Sequence, residues 1–214
     1  MFPPEEESKR YKSFLKDLSD HFEVKEESYD VEFFGQKIKK TREEKNISIE
    51  ELARRTGFSV DVISELENQK ASPQIGTIIR LAKALKTVFG TFVSEKTDKN
   101  YSVVRQSERK AISRHASQKG HNYSYMSLAS DVSNRHMETF IVKLEHHESL
   151  EEMSIHDGEE FIFVIEGEVK IRLEDKIEIL SVGDSIYYFS NIPHLVSSNI
   201  SGPTYILAVI YTGS

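Results

Sequence analysis

S-I-H-D-G-E-E-F-I-F-V-I-E-G-E-V, residues 154–169, and V-G-D-S-I-Y-Y-F-S-N-I-P-H, residues 182–194, decide how this chain reads. They contain three residues of metal-ligating type, His156, Glu160 and His194, set in strand-like sequence. Residues 161–165 are a β-branched and aromatic run of the kind that forms a strand buried on both faces. Gly167 then reads as a turn, with residues 168–173 as the returning strand. Two imidazoles and one carboxylate suit a divalent metal (Fe, Mn, Ni or Zn) and leave positions open for water, oxygen or a chelating ligand. Taken singly, each residue has an ordinary alternative, Glu160 as a surface residue of a turn and His194 as a loop histidine after Pro193.

Outward from this stretch, the sequence keeps a period of two from Tyr101 onward. Runs such as S-V-V-R, K-A-I-S-R, Y-S-Y-M-S-L and M-E-T-F-I-V-K-L are separated by turn-forming residues, which predicts about ten strands between residues 101 and 212, enough to close a small barrel. Tyr123, Tyr125, Phe140, Phe163 and Tyr187 are candidates to line a pocket inside it. Which of them face inward depends on register, since a slip of one residue reverses every side chain. Arg135 and His136 lie where they could reach an anionic effector.

The two quoted stretches resemble the paired motifs of the cupin family. His156 matches the second histidine of the first motif, Glu160 its glutamate and Gly167 its glycine, while Gly183 opens the second motif and His194 ends it. Ser154 stands where the first histidine is expected, and Phe189 and Asn191 replace a proline and a glycine. The resemblance implies an all-β double-stranded β-helix, or jelly-roll, barrel over residues 101–214 with a metal held by His156, Glu160 and His194. Ser154 reads two ways: a metal site lost in favour of an organic ligand, or a three-ligand site.

The first half is helical in pattern. Phe33, Phe34, Ile38 and Arg42 mark one helix reaching Lys45. Ser48 begins a capping box with Glu51, and Gly57 ends the second helix in a turn. Ser59 caps a third helix. Ser72 and Pro73 open a fourth, over 74–85, and residues 88–93 make a short fifth. The segment E-E-L-A-R-R-T-G-F-S-V-D-V-I-S-E-L-E-N-Q-K-A-S-P, followed by I-I-R-L-A-K-A-L, resembles the helix-turn-helix domain of the phage-repressor class. That resemblance implies an all-α, lambda-repressor-like domain over residues 31–93, binding double-stranded DNA. Val60, Asp61, Val62 and Glu65 would face base edges; Lys39, Lys40, Arg54, Arg55 and Lys70 would neutralise phosphates. Two acidic residues on a reading helix are unusual, because carboxylates repel phosphates even where they can accept from cytosine.

Charge follows the same division. Residues 31–93 carry eleven Lys/Arg and eight Asp/Glu, while the whole chain carries 28 against 35. The basic block thus coincides with the helix-turn-helix pattern, where nucleic acid would bind. Residues 1–30 read as an acidic, partly helical arm and 94–100 as a linker. The composition, 38% hydrophobic and 29% charged, suits a globular protein. The absence of cysteine excludes disulfides and thiolate ligands. The acidic start lacks the order of a signal peptide, and no apolar run is long enough to span a bilayer, so the expected location is cytoplasmic without membrane contact.

As a whole the chain resembles bacterial regulators that join a helix-turn-helix to one cupin barrel. This implies a transcription regulator that senses a small-molecule effector and binds its operator as a homodimer or higher homo-oligomer. A second resemblance is to phosphonate-processing non-haem iron epoxidases. It would make His156, Glu160 and His194 a facial triad, with Lys45 reaching the site as a cation and Tyr123 or Tyr125 facing the metal.

Overall fold

The computed structural model describes residues 31–68, 73, 75–93, 99–109, 111–116, 122–129, 131–132, 135–144, 146 and 153–211. The expected acidic arm, most of the linker, Lys70, Ser72 and Gln74 lie outside these. Five helices come first among them: α1 Val31–Glu44, α2 Ile49–Thr56, α3 Val60–Glu67, α4 Ile75–Ala84 and α5 Gly90–Val93. Nine strands follow: β1 Ala111–Ala116, β2 Asn122–Ser127, β3 Met137–Leu144, β4 Glu159–Glu166, β5 Glu168–Leu173, β6 Lys176–Ser181, β7 Ser185–Phe189, β8 His194–Ser198 and β9 Thr204–Tyr211. Residues 102–105, expected as a strand, form none and lead into a short 3-10 turn at Gln106–Glu108.

The helical half obeys its caps. Ser48 Oγ accepts from the Glu51 N–H at 3.1 Å, and Ser59 Oγ from the Val62 N–H at 3.2 Å. Only this half of the expected capping box forms, because the Glu51 carboxylate turns to Arg54 and Arg55 instead. Gly57, at φ 73°, ends α2 in the left-handed conformation that glycine adopts without a Cβ clash. Ile38, Leu52, Ile63, Ile78, Leu81 and Leu85 are fully buried and hold the bundle together. Arg42 continues the inward face of α1 as a charge: it holds Glu67 of α3 bidentately at 2.6 and 2.8 Å and donates to the Ile47 carbonyl at 3.0 Å.

The strands form two antiparallel sheets, β1-β2-β3-β9-β4-β7 and β6-β5-β8. Residues 161–165 and 168–173 do not make the expected hairpin. The chain passes from one sheet to the other at Gly167, and β5 pairs with β6 and β8. Gly167 has φ 82°, and a Cβ there would run into Thr204 Oγ1 and stand 2.8 Å from the Pro203 carbonyl oxygen, so the crossing needs glycine on both counts. In the large sheet Glu160 pairs with Tyr188 and Ile210, and Ile162 with Ile186 and Ala208. Opposed residues share a face, so this row faces the interior, and Phe161, Phe163 and Tyr187 face out.

The two halves share one apolar core. Phe89, just before α5, meets Phe140 of β3 edge to face at 5.7 Å, and Phe34 meets Phe92 at 5.9 Å. Ile75 of α4 belongs to the same buried cluster as Val142, Ile162 and Ile206. Lys83 of α4 pairs with Asp157 beside the barrel mouth.

Candidate metal centre and DNA-facing helix

Three elements converge at the open end of the barrel. His156 sits in the loop before β4, Glu160 is the second residue of β4, and His194 is the first of β8. All three are buried, and their ligand atoms lie within 4.8 Å of one another. His156 Nε2 is 2.9 Å and His194 Nε2 3.4 Å from Glu160 Oε1. The sheet registers place them: β4 carries Glu160 inward, and a short bridge between Ser154 and His194 brings the segment that carries His156 alongside β8.

The other ring nitrogens decide what the centre can bind. His156 Nδ1 lies 3.0 Å from the Asp157 carbonyl oxygen and His194 Nδ1 2.9 Å from that of Ile192. A carbonyl only accepts, so each Nδ1 is the N–H donor; the Nε2–H of each ring can then donate to Glu160, and a cation that displaces those protons meets an Nε2 lone pair on each ring. Two lone pairs and a carboxylate, oriented by backbone carbonyls behind them, form the donor set that a divalent cation takes. The residues present therefore fit a metal.

Two flanking residues carry no signal as ligands and were not picked out from the sequence. Tyr188 donates to Glu160 Oε2 at 2.6 Å, and Ser190 Oγ donates to Oε1 at 3.2 Å while its carbonyl accepts the His156 N–H at 3.0 Å. Burial pushes the Glu160 carboxyl up, but hydrogen bonds and charge from the two histidines outweigh it and hold it below the usual carboxylate range. Burial lowers His194, yet its hydrogen bond to Glu160 leaves it raised. Burial first, then the Glu160 charge, pushes the Tyr188 and Tyr125 hydroxyls up, so both remain protonated donors.

The triad opens into a cavity of about 80 Å³. Tyr123 and Tyr125 line it with Val142, Ile162, Ile206 and Ser154, and Ile75 and Gly76 of α4 complete its wall. Of the other aromatic candidates, Phe140 is wholly buried behind Tyr125, with ring centroids 6.1 Å apart, and does not line the cavity. Phe163 packs on the outer face with Met126 and Ile141. Tyr187 is 54% exposed and donates to Glu159 on that outer face; the inward position belongs to its neighbour Tyr188. Arg135 pairs with Glu138 at 2.7 Å, and neither Arg135 nor His136 lines the cavity. Lys45 donates to the Lys86 carbonyl at 3.3 Å and is not part of the wall.

On the helical half, Val60, Asp61, Val62 and Glu65 all lie on the exposed face of α3. Lys39 and Lys40 are exposed on α1, and Arg54 and Arg55 both bind Glu51, at 2.7 Å each.

Residues 38–88 match the helix-turn-helix family and residues 140–210 the cupin domain family. The chain is a helix-turn-helix cupin protein. The HTH-type transcriptional regulator PuuR of Escherichia coli is 25% identical to this helix-turn-helix cupin protein over 170 residues, covering 78% of this chain and 89% of its own. The HTH-type transcriptional regulator SutR of the same organism is 21% identical over 165 residues, covering 76% and 85%. A crystal structure of an HTH_3 family transcriptional regulator from Vibrio cholerae matches the fold with a TM-score of 0.63 at 22% identity, over 86% of this chain and 99% of that one. Hydroxypropylphosphonic acid epoxidase from S. wedmorenis also matches, but with a TM-score of 0.43 at 21% identity over 83% and 96%, which is too distant to bear on function. Among the described residues, no helix is long and apolar enough to cross a membrane.

Proposed function

We propose that this helix-turn-helix cupin protein is a DNA-binding transcription regulator whose barrel senses a small effector through a divalent metal held by His156, Glu160 and His194. The observation that carries the reading is the union, in one continuous core, of an exposed recognition helix and a buried three-donor cavity. The relatives of similar length are named as transcriptional regulators. When bound, the metal would supply a Lewis-acidic anchor for an oxygen or nitrogen donor of the effector. The protein's own part is to hold that anchor: His156 and His194 are aimed by the Asp157 and Ile192 carbonyls, and Glu160 is steadied by Tyr188 and Ser190. On DNA, α3 enters the major groove while Lys39, Lys40, Arg54, Arg55 and Lys70 meet phosphates, and a homodimer reads two half-sites. An iron epoxidase acting on an anionic phosphonate would want a cation in its cavity, and among the described residues that line this one there is no Lys or Arg.

The test is selection of fragments from the source genome by the purified protein, followed by a salt titration on the fragments that win. Tight binding that falls steeply with salt supports the regulator. No enrichment, with or without Zn(II) or Mn(II), overturns it.

A further inference from the structure

The wall that α4 gives the metal cavity is built by close approach. Gly76 has no unusual backbone angle, yet a Cβ on it would run into Ser154 Oγ and stand 3.0 Å from His156 Cδ2. A glycine within a helix costs up to about 1 kcal/mol relative to alanine, so contact, not conformation, accounts for it here. The facing residue is also small. Ser154 stands where the cupin pattern has its first histidine, and the space a longer side chain would need on that side is taken by the α4 backbone. The short side chain of Ser154 and the missing Cβ of Gly76 are two halves of one fit.

From Gly76 the contact continues toward the DNA-facing elements. Four residues on, Arg80 donates to the Thr56 carbonyl that ends α2 and lies 4.6 Å above the Phe58 ring. Gly57, between them, would meet Arg80 Nη2 at 3.3 Å if it had a Cβ. One helix therefore touches the metal-binding histidine at its start and the turn of the helix-turn-helix at its middle.

We propose that α4 is the readout of the cavity, and that the effector is a metal chelator with a short, uncharged apolar body which displaces Ile75 and Gly76 when it binds. This rests on the metal-centre reading above. The ligand class follows from the wall. Among the described residues that line it, the polar groups beyond the triad are Ser154 and the two tyrosines, the rest are apolar, and no Lys or Arg meets a second charge. The rest of the wall comes from strands of both sheets, β2, β3, β4, β8 and β9, which are tied into ladders, so a body longer than the cavity presses on α4, the one wall element outside a ladder among the described residues.

The experiment uses the full chain loaded with Zn(II), with alkyl hydroxamates as probes because they chelate through two oxygens and differ only in tail length. Hydrogen exchange of the amides of residues 75–84 is followed, and binding is measured by calorimetry. Hexanohydroxamate should raise exchange in α4 by about tenfold, within the usual range of coupling between sites, whereas acetohydroxamate should bind with little change. Gly76→Ala should raise α4 exchange by a similar factor without any ligand, and Gly76→Ala combined with Ser154→Ala should bring it most of the way back. If both hydroxamates bind and α4 exchange is unmoved, the readout is wrong while the metal centre stands. Failure of Zn(II) to bind the unaltered chain removes the metal centre and this proposal with it. A Gly76→Ala chain that folds and exchanges like the parent shows that the seat does not exist.

Discussion

Each residue of the candidate metal centre is oriented by what lies behind it. The Nδ1 contacts to Asp157 and Ile192 commit both imidazoles to one tautomer, and the Tyr188 hydroxyl occupies the Glu160 oxygen that does not face them. Replacing Glu160 by Ala should abolish stoichiometric metal binding. Tyr188→Phe keeps all three donors and should still weaken Zn(II) by roughly 10- to 100-fold in competition with a chelator, the usual effect of losing a group that orients a ligand; unchanged affinity would mean that the tyrosine only packs. A different residue should set the pH dependence of stability. Glu138 is 1% exposed, and burial, only partly offset by Arg135, pushes its carboxyl up from 4.5 to about 7. A raised carboxyl favours the folded state while it is protonated, so its contribution is complete below about pH 4.5 and is lost as pH rises through about 7. Urea unfolding should show stability declining between pH 5 and 8 by up to about 3 kcal/mol, and Glu138→Gln should flatten that decline.

Among the elements, α1 and α3 are joined by a buried charge pair at the position where Arg42 continues the inward face of α1. Both Arg42 and Glu67 are largely shielded, so removing one partner strands the other. Glu67→Ala should lower stability by about 3–5 kcal/mol, whereas the apolar pair Arg42→Met with Glu67→Leu should cost far less, as measured by chemical denaturation. The reading helix α3 offers Val60, Val62, Asp61 and Glu65 to solvent, and its charge sign opposes DNA approach. Asp61→Asn with Glu65→Gln should therefore raise non-specific affinity while relaxing the preference among operator variants. Arg54→Ala should weaken all sequences alike and reduce the logarithmic salt slope by about 0.9 if Arg54 meets one phosphate; an unchanged slope would place the interface elsewhere.

For the whole molecule, how far the sequence could be read depended on the range of the information. Caps, turns and helices were legible because they are local: Ser48, Gly57 and Ser59 do what their types predict. The grouping of His156, Glu160 and His194 was legible as a spacing. Its lining was read less well, because side chains alternate and one position decides the face. Glu160 faces inward, so Ile162 must follow it and Phe163 cannot; Tyr188, opposite Glu160, faces inward and Tyr187 does not. That parity was available in the sequence once Glu160 was taken as a ligand, but the pairing of β4 with β7 was not.

Sequence alone determined the two-part architecture, the helix boundaries to within a residue or two and the grouping of His156, Glu160 and His194, since these rest on periodicity, capping chemistry and residue type. Only the tertiary structure decided that residues 161–165 and 168–173 belong to different sheets and that Tyr188 and Ser190 brace Glu160. It alone also set the helical half against the cavity through Gly76 and Ser154. Each of these depends on which distant segments meet, and that is settled by packing the two halves into one core.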